Sequence, residues 1–116
     1  MAECVMRATG DRIDYTPSGA DVEPGQVVDL GTFVGVATEK ILDGEPGSLQ
    51  VEGVGDFLKY TGEAINLGDV VYWDEGTNTA TKTSGYSEAP IGKCFKAALA
   101  GDATVRVKLM PGLSTT

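Results

Sequence analysis

The stretch GDVVYWDEGTNTATKTSG, residues 68–85, decides how this chain is read, because it holds the only Trp and a tight group of acidic and amide side chains. Asp74, Glu75 and Asn78 open either a cation loop or a hairpin turn. A calcium loop starting at Asp74 needs Gly at its sixth position and a bidentate Glu at its twelfth. Those places hold Thr79 and Gly85. A hairpin accounts for every residue: Val70 to Trp73 form an apolar strand, Gly76 and Asn78 tolerate positive φ in the turn, and Thr79, Thr81 and Thr83 alternate along the return strand. Trp73 is then expected in a core or at a subunit interface.

The same period of two recurs on either side. Leu49 and Val51 alternate with Gln50 and Glu52, and Val105, Val107 and Leu109 with Arg106 and Lys108, as in strands with one buried face. FVGVA (33–37) and VVYW (70–73) are apolar toward both faces. This fits strands covered on either side, or contacts between subunits through Phe33, Val34, Tyr72 and Trp73. TEKILDG, GEAINLG and KAALAGD allow a helical turn or two before glycine stops them. Turn signals at TPSG, EPGQ, GEPG, LGD and EGTN fall between the strands. The expected fold is all-β: a small antiparallel barrel or sandwich with one or two short helical turns and an N-terminal arm.

PGQVVDLG (24–31) echoes LGDVVYWD (67–74), and VGVATEKILDGEPGSLQVEG (34–53) echoes IGKCFKAALAGDATVRVKL (91–109). Each copy runs from a Gly-x-Val-Val strand through an apolar-Gly strand and a turn to an alternating strand. The second copy adds a hairpin. Two copies closing on each other predict a barrel of pseudo-two-fold character, with chance agreement among small residues as the other explanation. The chain divides into an arm or edge strand (1–14), a β domain (15–112) and a short tail (113–116).

With 116 residues the chain has room for one domain and one core. Its 16 glycines are scattered and suit many turns. A net charge of −8 repels phosphate backbones and anionic lipid, so neither nucleic acid nor membrane is an expected direct partner. No apolar run reaches membrane-spanning length and the N-terminus lacks a signal-peptide pattern, which predicts synthesis in a cytoplasm. Cys4 and Cys94 are expected to be free thiols.

Histidine is absent, and with it every Ser-His-Asp or Cys-His arrangement. GYSEAPIGKC fails as a phosphate loop because six residues separate its glycines, Pro90 lies inside, and Cys94 stands where a hydroxyl should reach magnesium. No catalytic residue, metal or cofactor is expected.

The ordered strings GxVVxLGxFxGVA, GDVVYWDxGTNTATxTxxG and IGKxxxAAxAGDATVRVKL, preceded by PSGADVxxG, together resemble the phage head decoration, or capsid cement, family over residues 15–110. Some members of that family carry a recombinase-like label, which the failed phosphate loop argues against here. The resemblance implies a non-enzymatic protein on the outer surface of the virion capsid, made in the host cytoplasm, that braces major capsid protein subunits. It also implies a small homo-oligomer, a trimer before a dimer. The capsid-contact candidates are the arm residues Glu3, Cys4, Val5, Met6, Arg7 and Ala8, able to add a strand to a neighbour, and the turn residues Asp43, Glu45, Asp74, Glu75 and Asn78. Two other readings compete: a β-sandwich module binding surface glycans or host-cell receptors through Tyr72, Trp73 and Tyr86, and a small hydrolase built on Asp69 and Asp74.

Overall fold

The computed structural model describes residues 3–4, 10–82 and 89–112. Among the described residues nine strands form two antiparallel sheets. The first contains β1 (Arg12–Tyr15), β2 (Val27–Asp29), β3 (Val34–Ala37) and β4 (Gly47–Gln50), in the order β1-β4-β3-β2. The second contains β5 (Gly53–Leu58), β6 (Val70–Asp74), β7 (Thr79–Thr81), β8 (Ala89–Lys96) and β9 (Thr104–Leu109), in the order β5-β9-β8-β6-β7. The architecture is a sandwich of open sheets. Among the described residues the outer ends of the larger sheet meet at one parallel bridge, Lys59 to Ala80, and no barrel closes.

The sequence echo is a topological repeat. Strands β1, β4, β3, β2 of one sheet correspond to β5, β9, β8, β6 of the other, and β7 belongs to the added hairpin. Turn hydrogen bonds repeat as well. Val22 and Ile41 exchange backbone bonds, as do Ile65 and Ala98; Gly25 N–H donates to the Ala37 carbonyl, as Gly68 N–H does to that of Cys94. These bonds explain why the three segments expected as helical turns are not helical. Ile41, Ile65 and Ala98, one in each, spend their backbone groups on isolated antiparallel bridges, and glycines follow before a helix can nucleate.

Two apolar clusters result. The larger gathers Phe57, Ile65, Val71, Trp73, Ile91, Cys94, Val105, Val107 and Leu109 with Val34 from β3, and Val27 and Val36 pack against it. The smaller, Val22, Ala37, Ile41 and Leu49, lies on the other face of the first sheet. Strand β3 is therefore apolar on both faces because this chain covers both.

Close approach of β8 to β9 requires Gly92. A Cβ there would stand 1.7 Å from the Lys108 carbonyl oxygen, against backbone that has nowhere to move. At the equivalent Gly35 the obstacle is the Leu49 side chain, at 2.7 Å. Gly92→Ala is expected to lower stability by more than about 3 kcal/mol, and Gly35→Ala by less, because the overlap at Gly35 is smaller, 2.7 Å against 1.7 Å. Thermal unfolding followed by Trp73 fluorescence measures both.

Buried Lys59, 3% exposed, ties the end of β5 to the turn before β9. Its Nζ donates to the carbonyls of Tyr60 at 2.8 Å, Ala100 at 3.1 Å and Asp102 at 3.4 Å. Lys59→Met removes the donors and leaves the carbonyls behind, so a loss of roughly 2–4 kcal/mol is expected in denaturant unfolding.

Candidate functional site

The tip of the β6–β7 hairpin is a turn stabilised from within. The Gly76 N–H donates to Asp74 Oδ1 at 2.8 Å, the hydroxyls of Thr77 and Thr79 are 2.6 Å apart, and Asn78 takes φ of 53°. Positive φ falls on Asn78 and not on Gly76, because the Asp74 carboxylate already fixes the first half of the turn. Glu75 and Asn78 remain exposed. Asp43 and Glu45 stand exposed on the turn before β4, where Asp43 Oδ1 accepts the Gly19 N–H at 2.8 Å and the Asp43 N–H donates to Asp21 Oδ1 at 2.8 Å. Glu3 and Cys4 are exposed; Val5, Met6, Arg7 and Ala8 lie outside the described residues.

The other nominated positions separate by burial. Val34 and Trp73, 1% and 5% exposed, belong to the larger core, whereas Phe33 and Tyr72 are half-buried. Trp73 meets Phe57 edge to face at 6.3 Å between centroids. A glycan platform needs exposed rings on one surface. Tyr72 and Trp73 are successive strand residues and point to opposite faces, and Tyr86 lies outside the described residues.

Asp69 and Asp74 sit at the two ends of β6, about 16 Å apart along an extended strand, far beyond the 5–10 Å or so that paired glycosidase carboxylates require. Each already accepts a turn N–H, from Asn66 and Gly76 respectively. Among the described residues no group of three metal-ligating side chains comes together.

A hollow of about 660 Å³ lies between the sheets. Val27 and Val36 form one wall, Phe57, Trp73 and Leu109 the other, and Gln50, Glu75 and Asn78 bring polar groups to it. It contains no nucleophile with a paired base. The buried thiol Cys94 lies elsewhere in the core and donates to the Lys96 carbonyl at 3.1 Å. Burial pushes its pKa up, and Asp69 adds to the shift. Lys93 does not activate it, because adjacent strand residues face opposite ways.

Two features escaped the sequence reading. Strand β5, GVGDFL, has glycines where apolar alternation should show. The outer face of β8 and β9 gathers Lys93, Lys96, Arg106 and Lys108, four of the nine Lys and Arg residues of an acidic chain. Their crowding into residues 93–108 was the available signal.

With its folded pKa raised, Cys94 favours the native state while the thiol is neutral, and that contribution fades as pH climbs past the unfolded thiol value near 9. In a Cys4→Ser background, Ellman's reagent is expected to find no reactive thiol in native protein at pH 8 and one after unfolding. Stability in urea should decline from pH 8 to pH 10 more steeply than in the further variant Cys94→Ala.

A family model described as phage cement protein matches residues 7–109, and the chain belongs to that family. No curated protein matches the chain.

Proposed function

We propose that this member of the phage cement protein family binds the outside of the assembled head and strengthens contacts between major capsid protein subunits. The family match from residue 7 to residue 109 carries the reading, since it spans both sheets and not an isolated motif. The fold suits a brace. A two-layer block presents short edge strands, β1 and β2 on one sheet and β5 on the other, for main-chain pairing with neighbours. A net charge of −8 keeps the block off the packaged genome. No chemical step is assigned to it.

The arm residues Glu3 to Ala8 and the turns carrying Asp43, Glu45, Asp74, Glu75 and Asn78 are the proposed contact points. A small oligomer, a trimer before a dimer, is proposed by likeness to such proteins. Phe33 and Tyr72 are its proposed interface positions, because Val34 and Trp73 are committed to the core. The protein is proposed to be made in the host cytoplasm and to join the shell from outside.

Purified protein added to expanded, undecorated heads is expected to co-sediment with them at a saturating stoichiometry and to raise the temperature at which they release DNA. Heads that neither bind it nor gain stability would remove the cement reading.

A further inference from the structure

The outer face of the larger sheet is built in two cross-strand rows. Val54, Lys108, Lys93 and Val70 stand side by side across β5, β9, β8 and β6, and Asp56, Arg106 and Lys96 form the next row across β5, β9 and β8. Phe95 lies at the bulge between the rows, 47% exposed, with Lys108 Nζ 5.7 Å from its ring centroid. Only Arg106 is neutralised by an ion pair, with Nε 3.0 Å from Asp56 Oδ1. Among the described residues Lys93, Lys96 and Lys108 have no carboxylate within ion-pair distance.

Lys93 and Lys108 are directly opposed on adjacent strands, and like charges so placed destabilise a sheet. The repeat shows that the fold does not demand them. The corresponding opposed pair in the first sheet is Val36 and Gln50, and Val36 packs against the larger core. Where the face is covered within the chain, the pair is uncharged; where it is open, both members are lysine. A cationic, aromatic patch on a molecule of net charge −8 is the place where an anionic surface can approach without repulsion.

We infer that this face, centred on Lys93, Phe95 and Lys108, is the surface that docks the protein on the capsid, against an acidic patch of the major capsid protein. The inference rests on the cement reading and adds to it the docking face and the chemistry of the partner surface. It adds the outer face of the five-stranded sheet to the contact points proposed above. The partner's carboxylates take the place of the counter-charge that Lys93 and Lys108 lack, and Phe95 with Val54 supplies apolar contact beneath them.

The test is co-sedimentation with expanded, undecorated heads over a range of salt, using wild type, Lys93→Glu, Lys108→Glu, the double variant, and, as a reversal off this face, Lys40→Glu in the β3–β4 connection, where Lys40 lies beside Asp21 and Glu23. Each single variant on the face is expected to bind about tenfold more weakly, the double variant not to bind, and Lys40→Glu to bind like wild type. Wild-type binding should weaken as salt rises. Lys93→Glu creates an opposed Glu–Lys pair, so its melting temperature should equal or exceed that of wild type, which separates lost docking from lost folding.

Undiminished binding by the double variant would overturn the docking face and leave the cement reading standing. Absence of wild-type binding would remove both. Equal affinity of wild type for duplex DNA or anionic vesicles, lost in the same variants, would reassign the face to nucleic acid or membrane. Self-association lost in the double variant, with head binding intact, would make it a contact between copies.

Discussion

At Gly92 the backbone of β8 lies so near the carbonyl of Lys108 that a methyl group would stand 1.7 Å from it, and the rest of the larger sheet is arranged around that contact. It sets the register in which Gly92 opposes Leu109 and Lys93 opposes Lys108. That register sends Val105, Val107 and Leu109 inward and Arg106 and Lys108 outward. A slip of one residue would exchange the faces of the strand and put two cations into the core. The absence of a side chain at one position thus determines both where the core lies and which charges the outer surface shows.

The two sheets are one β unit used twice, and the differences between the copies are informative. Val36 and Gln50 of the first correspond to Lys93 and Lys108 of the second. Ile13 and Tyr15 of β1 correspond to Gly55 and Phe57 of β5 through their partners Leu49, Gly47, Val107 and Val105. The glycine opens space beside the larger cluster, where the hollow faced by Val27 and Val36 lies. One copy has become a covering layer with a small cluster of its own, while the other holds most of the buried side chains.

Much of this was legible in the residues. Alternation in LQV and VRVKL, the turn in EGTN and the Gly-x-Val-Val echo located β4, β9, the β6–β7 hairpin and the repeat, because each pattern is local and its periodicity follows directly from strand geometry. Strand β5 was not legible, since Gly53 and Gly55 erase the alternation that announces a strand. Nor were the three bridging segments, whose short apolar runs suit a helical turn until the backbone partner of each is known. Trp73 was open between core and interface, and its burial in the larger cluster, edge to face with Phe57, decides for the core. The basic outer face needed strand register, because Lys93 and Lys108 are far apart in the chain and meet only across the ladder.

Each sheet is drawn from one uninterrupted half of the chain: residues 12–50 supply the first and 53–109 the second. During synthesis the four-stranded sheet can therefore form all its pairings and its small cluster before any residue of the other sheet leaves the ribosome. Until then Val27, Val34 and Val36 face water. The first half waits as a preformed template with a sticky side, and the second half completes its own strands against it.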